Sequence, residues 1–140
     1  MSATSLFRTV LIAGLVFTIV GAIAGINLSD TLPPILQDYL TQIESEDIST
    51  SKAIFYFFLA LVLILLPIST IGLWKFKSWS RTLYVVISVG FIPFYPIVGA
   101  VVMNGWEAMF SDIALILEGI LLAMMFTGEV GQKFKIKSNS

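Results

Sequence analysis

The sequence predicts an all-α, polytopic membrane protein, a bundle of four transmembrane helices with a short amphipathic extracytoplasmic helix between helices 1 and 2. Three observations predict this fold class. Hydrophobic residues make up 57% of the 140 residues and charged residues only 12%, about half the ~25% usual in soluble domains. The apolar residues fall into four long runs. The charged residues fall mainly between those runs, so we expect one membrane domain over residues 1–140.

Each run approaches the ~20 apolar residues that an α-helix needs to cross about 30 Å of hydrocarbon. The predicted spans are 6–26, 53–74, 82–103 and 108–128. They leave an extracytoplasmic loop over 27–52, a cytoplasmic loop over 75–81 and a cytoplasmic tail over 129–140. Residues 1–24 also fit a signal peptide. We expect the first helix to be retained, because it gives an even number of crossings.

The charged residues predict the orientation of the chain. Seven of the eight Lys and Arg residues lie near the start of span 1, between spans 2 and 3, or after span 4, and Lys52 is the exception. The other two connections are acidic. The positive-inside rule places the basic side in the cytoplasm. We therefore predict a multi-pass protein of the bacterial inner membrane with both termini cytoplasmic. The net charge of −1 and the lack of a long basic run indicate no nucleic-acid partner.

The extracytoplasmic loop contains a predicted amphipathic helix from about Pro33 to Ser45. Pro33 suits a first helical turn, and apolar side chains follow at helical spacing. They are Ile35, Leu36, Tyr39, Leu40 and Ile43. The polar face is acidic, which argues against binding to anionic headgroups. Two hypotheses remain open for this helix: a lid on the bundle or the outer membrane surface, and a docking face for a partner.

The composition argues against an enzyme. The chain contains no cysteine and no histidine, which removes thiol chemistry, thiolate or histidine metal sites and Ser-His-Asp catalysis. No glycine-rich phosphate loop of the P-loop or dinucleotide type is present. We therefore expect no catalytic residues, no cofactor and no metal site.

Small residues and prolines mark the packing of the spans. Gly14, Gly21 and Gly25 lie on one stripe of span 1 together with Thr18. Such stripes let membrane helices approach closely, and we favour packing within the bundle over a homo-oligomer interface. Prolines remove backbone donors and kink helices. We expect kinks at three of them, Pro67 in span 2 and Pro93 and Pro96 in span 3.

Glu118 is the main candidate for a functional side chain. Insertion scales assign roughly 2.5–3.5 kcal/mol to an aspartate at a helix centre, so we expect Glu118 to face the bundle interior. At ~1.5 Å per residue, Thr18, Tyr95 and Glu118 share one layer. We predict a hydrogen bond to Tyr95 first and Thr18 second. Tyr95 also shares a face of span 3 with Ser88. A neutral, hydrogen-bonded acid, a proton or cation relay, and contact with a partner's basic residue all remain open.

The cytoplasmic loop and the tail carry candidate contact residues. Tryptophan anchors membrane interfaces and lysine attracts anionic headgroups. The residues expected to contact lipid or a partner are Trp74, Lys75, Lys77, Trp79 and Arg81. In the tail, basic and apolar residues alternate from Lys133 to Lys137. This alternation predicts an anchor that lies along the membrane surface.

These features favour a small non-enzymatic membrane protein that serves as an accessory or structural subunit of a membrane assembly. One alternative is an oligomeric channel or transport protein that uses the buried carboxylate. A further alternative is an immunity or inhibitor-type membrane protein. The expected partners are membrane lipids together with a second protein or further copies of the chain.

Overall fold

A computed structural model describes residues 2–45, 50–94, 96 and 101–136, and in those residues the chain is helical, with no strand. Short 3₁₀ turns cover Ser29–Thr31 and Ile92–Phe94. The α-helices of the described residues are α1 (Ala3–Asn27), α2 (Pro34–Ser45), α3 (Thr50–Trp74), α4 (Ser78–Gly90), α5 (Gly105–Phe126) and α6 (Gly128–Ile136).

Among the residues that the structure describes, three helices are long and apolar enough to cross a membrane: α1, residues 56–74 of α3, and α5. The shortest of these segments has 19 residues, which at ~1.5 Å per residue cover about 28 Å. Their outer faces expose large apolar side chains, for example Ile19 at 50% and Leu63 at 67%. The structure therefore fits a multi-pass helical membrane protein.

In the described residues, the span predicted over 82–103 is not one continuous helix. Helix α4 has 13 residues and ends at Gly90, so it covers only about 20 Å. The 3₁₀ turn that follows contains Pro93, which has no N–H to donate and biases the preceding residue away from the helical region. The kink predicted at Pro93 is thus observed as a break between α4 and the 3₁₀ turn. Pro96 is described, but Tyr95 and residues 97–100 lie outside the described residues.

The helix of the second predicted span is not interrupted by its proline. Pro67 lies inside α3, which continues to Trp74. Two hydroxyls follow the proline, and both donate to the Leu66 carbonyl oxygen at 2.8 Å, one from Ser69 and one from Thr70. These bonds keep both polar side chains paired inside an apolar helix, as membrane helices require.

The predicted amphipathic helix is observed as α2. Its first turn is fixed by the Pro33 carbonyl oxygen, which accepts the backbone N–H groups of Leu36 and Gln37 at 2.9 and 3.2 Å. The apolar face is partly open, because Ile35 is 76% exposed and Tyr39 is 39% exposed, whereas Leu36 and Leu40 are half-buried. A lid and a docking face for a partner both remain as hypotheses for α2.

The helices pack as two pairs, α1 with α5 and α3 with α4. The glycine stripe forms the first pair. A Cβ added at Gly14 would meet Leu117 at 3.8 Å, and one at Gly25 would lie 2.8 Å from the Glu107 carboxyl carbon. A Cβ added at Gly21 would lie 3.4 Å from Phe110 Cβ and 3.5 Å from Ser111 Oγ of α5. The stripe is thus used for packing within the chain.

The two helices of the second pair are in close contact at Gly72 of α3, where Ser80 of α4 packs directly against the glycine backbone. Both residues are buried. The turn between the helices is closed by the Lys77 N–H, which donates to the Gly72 carbonyl oxygen at 2.9 Å. Phe76 in this turn has a φ of 54°, a left-handed conformation that is unusual for a bulky residue.

Both pairs meet in an apolar core at one end of the helices, which we call the basal cluster. Helix α6 turns back at Gly128, whose φ of 60° suits a glycine, and its side chains complete this core. The fully buried members are Phe7, Leu73, Met125 and Phe134. The tail is therefore more than the surface anchor that the sequence predicted. The basal cluster consists of Phe7, Val10, Leu11, Leu73, Phe76, Leu121, Met125, Val130 and Phe134.

Candidate functional site

A cavity of about 770 Å³ lies between the α1–α5 pair and the α3–α4 pair. Its volume falls in the range of about 300–1,000 Å³ that is typical of binding pockets. Most of its lining is aliphatic, and α1, α3, α4 and α5 all contribute to it. The polar side chains that line it are Thr18, Thr70, Tyr84, Ser88 and Glu118. We call this cavity the cleft.

Glu118 of α5 and Ser88 of α4 form the polar centre of the cleft. The Ser88 hydroxyl donates to Glu118 Oε1, and both residues are half-buried. A carboxyl group among aliphatic side chains needs such a partner, because a polar group without one is costly in an apolar medium. This hydrogen bond joins one helix pair to the other across the cleft.

Among the described residues, the hydroxyl that pairs with Glu118 is that of Ser88, which the sequence did not predict. Tyr95 lies outside the described residues. Thr18 lines the same cleft, but its hydroxyl donates to the Gly14 carbonyl oxygen of its own helix at 2.9 Å. The predicted layer assumed one straight helix through residue 103, whereas α4 ends at Gly90. Ser88 lies on the face of span 3 that it was predicted to share with Tyr95. In the described residues, it is the side chain of that face that contacts Glu118.

Asn104 is a structural residue that the sequence analysis missed. It is 4% exposed and caps α5, where its side-chain oxygen accepts the Glu107 N–H at 2.9 Å. Its amide nitrogen donates to the Ala24 carbonyl oxygen of α1 at 3.0 Å. The cap thus also fixes the end of α1 against α5. The sequence signal that could have predicted this cap is an Asn three residues before a Glu, a pattern typical of a helix N-terminus.

The tryptophans and Arg81, which were predicted to contact lipid or a partner, lie beside the basal cluster. Trp74 is 38% exposed and Trp79 is 49% exposed. Arg81 places its Cζ 5.0 Å from the Phe126 ring centroid and 5.9 Å from that of Phe134. Contacts of this kind hold a guanidinium against apolar surface. Lys75 and Lys77 are exposed in the adjoining turn.

No protein-family model, curated protein or solved structure matches the chain. Its function is therefore argued from the cleft and the basal cluster themselves. The polar groups of the cleft allow few kinds of chemistry. One carboxyl and a few hydroxyls among aliphatic side chains can hydrogen-bond a donor or exchange a proton.

Proposed function

We propose that the chain is a non-enzymatic subunit of a membrane assembly, and that a transmembrane helix of its partner packs along the cleft and inserts side chains into it. The observation that carries the proposal is the Glu118–Ser88 pair at the centre of an otherwise aliphatic cavity between two helix pairs. Such a cavity offers apolar side chains for packing together with one directional polar contact. This combination is how helices associate inside a bilayer.

The polar pair is the reason for choosing a helix rather than a lipid chain as the occupant. A carboxyl group has two oxygens and can accept several hydrogen bonds, and Ser88 donates to Oε1. A hydrocarbon chain has no hydrogen-bond donor for the remaining acceptor positions of this carboxyl group. A partner helix with a serine, threonine, asparagine or lysine at this depth has one. We infer a partner helix that presents such a donor to Glu118.

The proposal includes an inner-membrane location, four crossings and cytoplasmic termini. The distribution of basic residues supports it, and Arg8, Arg81 and Lys133 all contact rings at the same end of the helices. Four crossings require residues 91–103 to complete the passage that α4 begins. Reporter fusions at residues 45 and 78 are expected to report opposite sides of the membrane. A cytoplasmic signal at residue 45 would overturn this orientation.

An oligomeric transport protein is the second candidate. The same observation favours it, because a carboxyl group hydrogen-bonded in a cavity can take up and release a proton. The particle size of the protein in nanodiscs distinguishes the two proposals. Stoichiometric co-purification of a second polypeptide supports the accessory subunit. A homogeneous ring of this chain alone supports the transport protein.

Substitutions at Glu118 are expected to separate partner binding from folding. Glu118→Gln keeps an acceptor and should retain the partner. Glu118→Leu removes the acceptor and should release it. We expect Glu118→Leu to lower the stability of the isolated chain by only about 1 kcal/mol, since hydrogen bonds between membrane helices average about 0.6 kcal/mol. Unfolding curves and co-purification from the membrane measure the two effects.

Ser88→Ala serves as the matched control, because it removes the internal donor and leaves the carboxyl group in place. It should retain the partner. Loss of the partner with Ser88→Ala but not with Glu118→Leu would contradict the role assigned to the carboxyl group.

A further inference from the structure

Two cations and a hydroxyl converge beside one ring of the basal cluster. Arg8 places its Cζ 4.7 Å from the Trp74 ring centroid and 5.7 Å from that of Phe76. Lys133 places its Nζ 5.5 Å from the same Phe76 centroid and donates to the Thr4 hydroxyl. Thr4 lies one helical turn before Arg8, on the same face of α1. We call this group the Arg8–Lys133 site.

Within the described residues, no carboxylate neutralises the positive charge of this site, because neither Arg8 nor Lys133 forms an ion pair there. The Arg8 Nε is buried and has no hydrogen-bond acceptor in the same part of the chain, and Nη2 donates to the Trp74 carbonyl oxygen at 3.4 Å. A buried donor without an acceptor is unfavourable. These donors therefore favour an anionic ligand.

The geometry of the donors fits a phosphate group. A guanidinium presents its donors as a planar fork that matches phosphate oxygens, and an ammonium supplies a compact second charge. The Thr4 hydroxyl adds a polar group beside them. The rings of Trp74 and Phe76 fix the position of the arginine by cation–π contact.

The location of the site decides which phosphate compound it meets. Trp74 and Trp79 lie at this end of the helices and are partly exposed, as tryptophans at the headgroup level of a membrane are. We propose that the Arg8–Lys133 site binds the phosphate of an anionic phospholipid headgroup. This inference does not depend on the cleft or on a protein partner.

Lipid retention tests the proposal. The full chain is reconstituted in nanodiscs of phosphatidylcholine with a minor fraction of phosphatidylglycerol, and bound lipid is counted by native mass spectrometry after transfer to detergent. We expect the wild type to retain phosphatidylglycerol. We expect Arg8→Gln combined with Lys133→Gln to lower its apparent affinity roughly tenfold. Lys133 is exposed, so Lys133→Gln alone should fold normally and show part of the loss.

The matched control is Lys77→Gln combined with Lys135→Gln. It changes the net charge equally, and in the described part of the chain neither lysine is placed over a ring of the basal cluster. Lys77 is itself expected to meet headgroups, but only by diffuse attraction, so this variant should keep most of the affinity for phosphatidylglycerol. An equal loss in both double variants would overturn the site in favour of diffuse attraction.

A second arm distinguishes the source of the phosphate. Inorganic phosphate is added to the lipid-free protein in neutral detergent, and binding is followed by calorimetry. We expect no binding at millimolar concentration. Binding of inorganic phosphate that depends on Arg8 and Lys133, without retention of phosphatidylglycerol, would overturn the lipid assignment.

Discussion

Replacing Phe134 by alanine is expected to destabilise the protein by about 3 kcal/mol, the lower end of the range for buried phenylalanine. Phe134 is fully buried, and its ring centroid lies 5.3 Å from that of Phe76 and 6.0 Å from that of Phe7. Truncation would therefore leave a void where α1, the α3–α4 turn and α6 meet. We choose the lower end because lipid is itself apolar, which weakens the hydrophobic term for membrane helices.

The measurement is equilibrium unfolding in one detergent, with Phe57→Ala as the control. Phe57 is 65% exposed on α3, so its removal should cost less than about 1 kcal/mol. Phe134→Leu should fall between the wild type and Phe134→Ala. Equal destabilisation by Phe134→Ala and Phe57→Ala would show that α6 does not complete a core.

Replacing Gly72 by alanine is expected to destabilise the protein by about 1–3 kcal/mol, the usual cost of overpacking. The new Cβ would overlap the Ser80 Cβ and would lie 3.0 Å from both Ser80 Oγ and Trp79 Cη2. Ser80 is fully buried, so the serine cannot move aside and α3 and α4 must separate. The gain in helix propensity from glycine to alanine, about 1 kcal/mol, does not offset this separation.

Gly119→Ala is the matched control, because nothing lies within 4 Å of the added Cβ on α5. It should leave stability unchanged or slightly higher. Combining Gly72→Ala with Ser80→Gly removes the opposing Cβ and should restore part of the lost stability. Failure of that rescue, with equal unfolding midpoints for Gly72→Ala and Gly119→Ala, would contradict the close contact of α3 with α4.

The long helices could be predicted from the sequence because their apolar runs are longer than any competing signal. The predicted spans 6–26, 53–74 and 108–128 correspond to α1, α3 and α5 within a few residues. The break in the third run could not be predicted from hydropathy, because hydropathy does not register the loss of a backbone donor. Pro93 ends the helical conformation in a segment that remains apolar, so composition alone extended the helix past Gly90.

The burial of the tail was missed for a reason of periodicity. The alternation of basic and apolar residues after Lys133 indicated a surface segment. Val130 and Phe134, however, are four residues apart and lie on one face of a helix. Both are buried in the basal cluster, at 2% and 0% exposure. The helical period was present in the sequence, but it extended over too few residues to outweigh the charges.

The partner of Glu118 could not be fixed from the sequence, because depth along a helix does not give its rotation. The estimate placed Glu118 near hydroxyls of α1 and of the third span. The observed donor, Ser88, depends on how α4 is rotated against α5, which the depth along each helix does not determine. Helix existence is a local property, whereas side-chain pairing across helices is not.

Site-specific photo-crosslinking in the native membrane tests directly whether a partner's transmembrane helix packs along the cleft. The photoreactive residue is placed at Leu15 and Val62, which line the cleft, and at their neighbours Val16 and Leu63, which are exposed outside it. Each pair is nearly matched in depth, because adjacent helical residues differ by only ~1.5 Å along the axis.

We predict that the two cleft positions crosslink to one polypeptide, at a residue within one of its transmembrane segments, that the two outer positions do not, and that Glu118→Leu abolishes the crosslink. Equal crosslinking from all four positions, or crosslinks from the cleft to lipid alone or to a second copy of this chain, would contradict the account.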